Sequence, residues 1–309
     1  NSCDNRVLMV TKAKKIDWSG STVFPGGLLS NDADSKFVDY LQMHCQSIIN
    51  QYGFKFEDLL FRINGLRELF EETGILLYTT MDDLNGNIYP QKSKQYAFNN
   101  NLEVTVRWRE KVLSDPFQFM NLYTSLNLLP DILSLVPWAR LQTPLRSQRR
   151  WDTRFYLSCI DSKEIKQHIT LPLNKEIVSI DWLKINDDMV NNRNKFKYPP
   201  PTIMKLIELN NICNEKLLLN EWNEGYKWRT GNLPICPKLA ICPLTKQVVI
   251  LWNRDYLYNK LAFDELECDE HNEQNEINIH RIYLKSKGSM NVVFRFKRLY
   301  GKETISAKL

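Results

Sequence analysis

Hydrophobic and polar residues recur along this chain with two different periods, and the changes of period predict a succession of strands and helices. Short apolar, β-branched runs between turn-forming residues predict strands, whereas apolar residues spaced three and four apart predict helices. The predicted strands cover residues 6–11, 75–78, 138–143, 152–160, 177–183, 238–241, 247–252 and 292–296. The predicted helices cover residues 36–52, 56–73, 102–113 and 202–211, the last with Thr202 as its N-cap.

Polar and turn-forming segments between these elements predict loops. Residues 82–101 are rich in Asn, Gly, Lys and Gln, and residues 198–201 read Tyr-Pro-Pro-Pro, which is typical of a stiff loop. Residues 264–276 are acidic and polar and predict a loop without a site. Because the chain begins at Asn1 and enters a strand at Arg6, we expect a short N-terminal piece to precede it.

One helical segment carries the clearest chemical signal. Residues 66–75 read L-R-E-L-F-E-E-T-G-I, and on a helix Glu68, Glu71 and Glu72 share one face. Like charges this close repel one another unless a cation offsets them, and a hard divalent cation prefers oxygen ligands. A solvated acidic face is the simpler alternative for an acidic run. The apolar residues around these glutamates instead predict a partly buried helix, which favours a metal site.

The flanking residues support this interpretation. Gly74 follows the helix and suits the left-handed C-cap position. Arg67 stands beside the acidic face and is suited to hold carboxylates through a bidentate ion pair. Upstream, residues 24–27 read Phe-Pro-Gly-Gly.

Together these segments resemble the Nudix box, the signature of a superfamily of pyrophosphate hydrolases. Its pattern is G-x5-E-x7-R-E-U-x-E-E-x-G-U, where U is bulky and aliphatic, and residues 67–75 match its second half. Gly27 and Glu68 lie 41 positions apart instead of 15, so 26 residues are inserted within the box. The early glutamate of the box is unassigned. Its position falls on Ala33, between Asp32 and Asp34, and Glu57 is an alternative three helical turns before Glu68.

The interrupted box is similar to that of the peroxisomal coenzyme A diphosphatase branch, the nucleoside diphosphate-linked moiety X motif 19 group. Residues 57–63, 138–144, 149–155 and 198–201 carry the same resemblance. It implies an α/β fold, the Nudix α/β/α sandwich with a mixed sheet, a helical insertion at about residues 28–55 and a C-terminal α+β extension. We expect the Nudix domain to span residues 1–190 and the extension to span residues 191–309.

The resemblance also implies an activity, the metal-dependent hydrolysis of coenzyme A or acyl-CoA to 3′,5′-ADP and (acyl-)4′-phosphopantetheine. Glu68, Glu71 and Glu72 would hold Mg²⁺ or Mn²⁺, and Glu68 and Glu72 would be catalytic. Glu68 or a downstream base, Glu176, would take the proton from the attacking water. The expected supporting residues are Arg67, Gly26, Gly27 and Gly74.

Two other functions stay open. One is a Nudix diphosphatase for NADH, ADP-ribose or nucleotide-capped RNA, because the box recognises only the shared diphosphate. The other is a non-catalytic nucleotide-binding module, against which the retention of all three glutamates and Arg67 argues.

Basic residues supply candidates for substrate binding. Lys12 stands where coenzyme A-specific Nudix enzymes place an arginine after a strand, and the alternative is a solvated lysine loop. Arg149 and Arg150 belong to a basic cluster suited to phosphate, and the alternative is a solvated strand edge. The net charge of +5 suits an anionic small molecule and is too small to predict specific nucleic-acid binding.

Composition excludes several other classes. Seven scattered cysteines, an odd number without C-x-x-C, argue against a disulfide framework and for a reducing compartment. No apolar run reaches the length of a membrane span. The four histidines lack zinc spacing, and neither a P-loop nor a G-x-S-x-G motif is present.

The last three residues resemble a targeting signal. Ala307-Lys308-Leu309 fits the small-basic-leucine form of the peroxisomal import signal, which predicts a peroxisomal import receptor as partner and the peroxisomal matrix as location. We expect residues 301–306 to form a mobile tail that exposes this signal. The alternatives are that these residues complete the last structural element, and that the protein is mitochondrial.

Overall fold

The structure is a computed structural model that describes most of the chain in two compact units. The first unit comprises Asn1–Trp138 and Tyr156–Trp228, and the second comprises Ala139–Phe155 and Arg229–Leu309. The described residues are 6–14, 20–85, 94–96, 98, 101–145, 147–160, 169, 171–172, 175–184, 197–211, 234–241, 246–252, 255, 257–258, 279–284, 290–297 and 304–308.

The described part of the chain contains both helices and strands. The helices are α1 (Asn31–Tyr52), α2 (Phe56–Thr73), α3 (Met81–Asn85), α4 (Leu102–Ser114), α5 (Gln118–Ser125) and α6 (Pro200–Asn211). The strands are β1 (Arg6–Lys12), β2 (Thr22–Val23), β3 (Leu77–Thr79), β4 (Lys94–Gln95), β5 (Leu129–Pro130), β6 (Val136–Gln142), β7 (Asp152–Leu157), β8 (Ile177–Lys184), β9 (Lys238–Ile241), β10 (Val248–Leu251), β11 (Ile279–Leu284), β12 (Met290–Lys297) and β13 (Thr304–Lys308).

Two three-stranded sheets organise the first unit. The first has the order β2-β1-β8, in which β1 pairs antiparallel with both neighbours. The pairing of β1 with β8 shifts register between Thr11 and Lys12, which is the signature of a β-bulge. The second sheet has the order β4-β3-β5 and is also antiparallel.

Helix α2 is the element on which the candidate site is built. Its residues Leu59, Ile63, Leu66 and Phe70 recur at helical spacing and are all buried. The helix ends after Thr73 because Gly74 adopts φ 80°, a left-handed conformation in which its N–H bonds back to the Phe70 carbonyl. The burial of one face leaves the opposite face of the last two turns for the glutamates.

The core of the first unit joins α2 to the inserted helix α1 and to α5. Phe37 of α1 packs edge-on against Phe119 of α5, and Phe119 in turn contacts Phe70 of α2. Arg62 is also fully buried, and it donates to Asp58 at 2.7 Å and to the carbonyl oxygens of Ile132, at 2.7 Å, and Leu135. These contacts fix the box helix on two sides.

The second unit contains a five-stranded antiparallel sheet of order β13-β12-β11-β10-β9. It also contains most of the two-stranded β6-β7 sheet, and Leu141 of β6 makes a parallel bridge to Ile235. Arg281 and Asp255 form a fully buried ion pair with two N–O distances of 2.9 Å. The expected extension therefore contains a sheet of its own, and its boundary at residue 190 stays a prediction.

Most elements predicted from the pattern are present, and several details were wrong. The predicted loop 82–101 contains the end of α3 and the short strand β4. Helix α5 and the strands β2, β5 and β11 had not been predicted. Helix α6 starts at Pro200, so Thr202 lies inside it instead of capping it, and two of the three prolines occupy its first turn. Proline is tolerated there because the first N–H groups of a helix have no partner within it. The expected loop 264–276 lies outside the described residues.

The expectation of a mobile C-terminal tail was also wrong for the described part of that segment. Thr304–Lys308 forms β13, with Ile305 opposite Phe296 and Lys308 opposite Val293. These residues complete the five-stranded sheet, as the alternative had it. Leu309 lies outside the described residues.

None of the helices in the described ranges combines the length and the apolar character that crossing a membrane requires.

Candidate functional site

Three glutamates of α2 form the centre of the candidate site. Glu68, Glu71 and Glu72 lie in the last two turns of the helix, and their side chains are 13%, 12% and 5% exposed. Carboxylates this deeply buried need hydrogen bonds or cations to offset their desolvation. The contacts of each glutamate therefore show what the site is built to do.

The Phe-Pro-Gly-Gly loop closes over the glutamates at its two glycines. The Gly26 N–H donates to Glu72 Oε2 at 2.9 Å. A Cβ atom at Gly27 would lie 2.5 Å from Glu68 Cδ and 2.6 Å from Glu68 Oε1, so the Glu68 carboxylate would have to move. Glycine at position 27 therefore lets the loop backbone approach this carboxylate without displacing it.

Arg67 organises the site from the side of α1. Its Nε and Nη2 atoms bind Asp34 Oδ1 and Oδ2 at 2.9 and 3.2 Å, and Nη1 binds Glu68 and Glu71 at 3.0 and 2.8 Å. Nη2 also donates to the Leu28 carbonyl at 2.9 Å. The bidentate ion pair expected of Arg67 is therefore made with Asp34, whereas Glu68 and Glu71 each receive one hydrogen bond.

Asp34 is the buried carboxylate that pairs with Arg67, and the sequence had not identified this pairing. It lies one position after Ala33, in the first turn of α1, and its Oδ2 also accepts the Ser30 N–H at 2.8 Å. Asn64 supports the same corner by donating to the Leu28 carbonyl at 2.8 Å. The only signal for Asp34 in the sequence was its place next to Ala33, the position at which the box has its early glutamate. Periodicity alone does not show which of two neighbouring aspartates turns inward.

Glu57, the other candidate for the early glutamate, lies apart from the cluster. It is exposed in the first turn of α2. Glu68 is eleven residues further along the helix, which corresponds to about 16 Å at 1.5 Å per residue.

Lys12 and Glu176 complete the site from β1 and from the residue before β8. Lys12 Nζ binds Glu72 Oε1 and also Glu176 Oε1, the latter at 3.0 Å. The Ala13 N–H donates to the Glu176 carbonyl oxygen at 2.8 Å, which holds the two segments together. Lys12 is 8% exposed, so the alternative of a solvated lysine loop was wrong for this residue. Glu176, expected as a downstream base, does lie beside the cluster.

Burial and mutual repulsion dominate the electrostatics of the glutamates. Burial raises the pKa of Glu68 to about 8 against the Arg67 charge, and the charges of Glu71 and Glu72 add to the rise. Burial likewise raises the pKa of Glu72 to about 7, against the effect of Lys12, and raises the pKa of Glu71. Burial therefore disfavours the charged form of these glutamates more than Arg67 and Lys12 favour it.

Arg109 of α4 stabilises the helix end from behind. It is buried, and its Nε and Nη2 atoms donate to the Glu71 carbonyl oxygen at 3.3 and 2.9 Å. Burial lowers the pKa of Arg109 to about 10, although Glu72 and Glu71 raise it. A cation beside the last turn of a helix interacts favourably with the negative end of the helix dipole. This contact was not predicted from the sequence, since a buried arginine in an amphipathic helix has no distinguishing pattern.

The donor set fits a divalent cation in kind. The Oε1 atom of each of the four glutamates accepts a hydrogen bond from a cationic side chain. Arg67 donates to Glu68 and Glu71, and Lys12 donates to Glu72 and Glu176. In this arrangement, no three His, Cys, Asp or Glu side chains of the described part of the chain are placed to hold one metal ion. Clustered carboxylates with raised pKa values are the oxygen ligands that a hard cation stabilises.

The two predicted arginines belong to the second unit. Arg149 and Arg150 are exposed, and Arg150 Nε donates to the Thr143 carbonyl at 3.2 Å. Nearby, Arg140 holds Asp152 with three hydrogen bonds of 2.6 to 3.1 Å. A role for Arg149 or Arg150 in substrate binding stays a prediction.

Similarity to a known family identifies the family of this chain. A family model described as the NUDT19 Nudix domain matches residues 51–209, just over half of the chain. The chain belongs to the NUDT19 Nudix domain family. The matched region contains the second half of the box on α2, and it begins after the Phe-Pro-Gly-Gly loop and most of the inserted helix. The resemblance expected from the interrupted box is confirmed.

Curated relatives carry the same family name. The chain is 27% identical to the acyl-coenzyme A diphosphatase NUDT19 of Xenopus laevis over 260 residues, which cover 73% of this chain and 66% of that protein. It is 28% identical to the Homo sapiens protein of the same name over 267 residues, which cover 82% of this chain and 68% of that protein. The chain thus spans about two thirds of the length of these relatives.

A solved structure supports the fold. The crystal structure of a NUDIX hydrolase from Alicyclobacillus acidocaldarius aligns with a TM-score of 0.53 and 19% identity, covering 71% of this chain and 90% of that one. The α/β class and the Nudix fold are therefore confirmed. Nudix hydrolases generally use divalent metal ions, which agrees with the carboxylate donors of α2.

Proposed function

We propose that this protein is a metal-dependent diphosphatase that hydrolyses coenzyme A or acyl-CoA to 3′,5′-ADP and (acyl-)4′-phosphopantetheine. The observation that carries the proposal is the assembly of Glu68, Glu71, Glu72 and Glu176 around two cationic side chains, under a loop in which Gly27 leaves room for the Glu68 carboxylate. The relatives from Xenopus laevis and Homo sapiens, both named acyl-coenzyme A diphosphatases, support the substrate class.

Some side chains of the site would bind the metal ion, and others orient these ligands. Glu68, Glu71 and Glu72 would hold the metal, for which Mg²⁺ and Mn²⁺ are both suitable oxygen-seeking ions. When bound, the ion neutralises diphosphate charge and lowers the pKa of a ligated water. Arg67 fixes the first two carboxylates, and the Gly26 N–H fixes the third.

The proton of the attacking water has two candidate acceptors. Glu68 has a pKa that burial raises to about 8, and it lies against the Gly27 backbone. Glu176 has a side chain that is 43% exposed, so a water molecule reaches it without rearrangement. Separate Glu68→Gln and Glu176→Gln variants distinguish the two, because loss of the base lowers kcat at all metal concentrations, whereas loss of a ligand alone is partly rescued by more metal.

A substrate panel tests the proposal directly. The full chain would be incubated with coenzyme A, acetyl-CoA, NADH or ADP-ribose, with Mg²⁺, Mn²⁺ or EDTA, and the products identified by mass spectrometry. We expect 3′,5′-ADP from the first two substrates, no product in EDTA, and a lower kcat/KM for the dinucleotides. Faster NADH or ADP-ribose cleavage would replace coenzyme A as the substrate class. Binding without any metal-dependent cleavage would indicate a nucleotide-binding module.

We further propose that the protein is imported into the peroxisomal matrix by a receptor that reads Ala307-Lys308-Leu309. The residue types and their order at the terminus support this location. Because Thr304–Lys308 pairs with β12, the receptor would bind the signal after these last residues leave the sheet.

A further inference from the structure

Lys12 occupies an unusual position for a lysine. Its ammonium group lies between two carboxylates from different elements, Glu72 of α2 and Glu176 before β8, and the lysine side chain is only 10% exposed. Glu72 and Glu176 raise the pKa of Lys12 although burial lowers it. A burial penalty of this kind is normally avoided unless the charge has a specific partner.

The backbone is shaped to place the ammonium group there. The register shift between Thr11 and Lys12 interrupts the alternation of β1, and such bulges re-aim a side chain next to a site. The Ala13 N–H holds the Glu176 carbonyl, so Glu176 stays beside β1. The Gly26 N–H occupies Oε2 of Glu72, and Lys12 binds the other oxygen, Oε1.

We propose that Lys12 is a positioning residue that holds Glu72 and Glu176 as an internal cation, and that a divalent ion bound by the glutamates replaces its ammonium group. The inference rests on the proposed function, because it requires metal binding at this cluster. Two cations that share one carboxylate oxygen repel each other at short range. The flexible four-carbon stem of lysine then lets the ammonium group leave past Glu176, the exposed side of the site.

The exchange gives Lys12 two successive roles. Without a metal, it keeps two glutamates of like charge in place. After replacement, it is a point charge released next to the cluster and available to a phosphate group of the substrate. This accounts for a lysine at a position where coenzyme A-specific enzymes were expected to place arginine, since a guanidinium group exchanges less readily from a bidentate pair.

Amine labelling of the 309-residue chain tests the exchange without relying on activity. The unmodified protein would be treated with an amine-reactive reagent with and without saturating Mg²⁺, and each lysine followed by mass spectrometry. We expect Mg²⁺ to increase Lys12 labelling about fivefold or more, the lower end of typical coupling between two bound ligands. Lys111, an exposed lysine of α4, is the internal control and should stay unchanged.

Mn²⁺ affinity provides the second measurement, by the paramagnetic resonance signal of the free ion. Lys12→Met removes the competing cation, so we expect Mn²⁺ to bind about tenfold more tightly than to the unmodified protein. The matched control Lys14→Met removes the same charge two residues away, on an exposed side chain, and should change the affinity less than about twofold.

The outcomes separate the inference from the proposed function. If the unmodified protein binds Mn²⁺ but Lys12 labelling does not rise with Mg²⁺, the exchange is wrong and the diphosphatase proposal stands. If Lys12→Met and Lys14→Met tighten binding equally, the effect is general charge and the specific role of Lys12 is overturned. If no Mn²⁺ binds, the proposed function fails and the exchange fails with it. The labelling result requires no variant and is therefore independent of how Lys12→Met folds.

Discussion

Arg67 and Asp34 are joined by two parallel hydrogen bonds, Nε to Oδ1 at 2.9 Å and Nη2 to Oδ2 at 3.2 Å. Both side chains are almost fully buried, at 4% and 1% exposure. The pair connects the first turn of the inserted helix α1 to the box helix α2. The insertion of 26 residues therefore does not disrupt the box. The first turn of α1, which lies within the insertion, supplies Asp34 as the acidic partner of Arg67.

Asp34→Asn should destabilise the protein substantially. The substitution preserves shape but leaves the buried Arg67 with less opposing charge, and breaking a buried ion pair costs about 3–5 kcal/mol. The free energy of unfolding in urea measures the effect. Asp32→Asn is the control, because Asp32 is exposed in the same helical turn and should change stability by less than about 0.5 kcal/mol. Equal effects of the two variants would contradict a structural role for the Arg67–Asp34 pair.

Gly27→Ala should abolish the proposed diphosphatase activity while the fold persists. The new methyl group would displace the Glu68 carboxylate, and a misplacement of about 1 Å at an active site can lower turnover about a hundredfold. Gly65→Ala, in the middle of α2, is the control, since its Cβ meets nothing and alanine favours the helix by up to about 1 kcal/mol. Steady-state kinetics and circular dichroism distinguish the two. Turnover by Gly27→Ala close to that of Gly65→Ala would refute the close approach of Gly27 to Glu68.

The periodic parts of the fold were predictable from the sequence, whereas long-range partners were not. Apolar spacing and Gly74 located α2 between Phe56 and Thr73 because these are local signals. The partnership of Asp34 with Arg67 spans 33 residues, and no local pattern encodes it. Lys12 was considered as a solvated lysine, since burial of a charge depends on carboxylates brought from 60 and 164 residues away. The short elements α3 and β4 were hidden because polar composition outweighed their few apolar positions.

Dephospho-coenzyme A should be a poorer substrate than coenzyme A. One charge-assisted contact to the 3′-phosphate contributes about 1.5 kcal/mol, so kcat/KM should fall about tenfold. Lys12, Arg149 and Arg150 are the candidate contacts, and removing the charge of the contacting residue should erase the difference between the two substrates. Lys12→Met, Arg149→Ala and Arg150→Ala, measured on both substrates, identify the contact. Equal rates on both substrates for the unmodified protein, with faster NADH cleavage, would favour a dinucleotide as the natural substrate.

Peroxisomal import should depend on the last residue. A fluorescent protein fused to the N-terminus should be punctate together with a peroxisomal marker and become diffuse when Leu309 is deleted, because the receptor reads the terminal tripeptide. Deletion of Leu309 leaves the β13 residues Thr304–Lys308 in the chain. Unchanged puncta after the deletion, or a mitochondrial pattern, would contradict the terminal signal.

The hydrolysis of coenzyme A by Glu72→Gln tests the central claim most directly. The substitution removes one charge at almost constant volume from a carboxylate that the Gly26 N–H and Lys12 hold in place. Glu57→Gln is the matched control, because Glu57 lies exposed in the first turn of the same helix. With excess Mg²⁺, we expect kcat for 3′,5′-ADP formation to fall about a hundredfold or more in Glu72→Gln and to stay within about twofold in Glu57→Gln. Turnover by Glu72→Gln within a few-fold of the unmodified protein would contradict the assignment of this carboxylate cluster as the catalytic metal site.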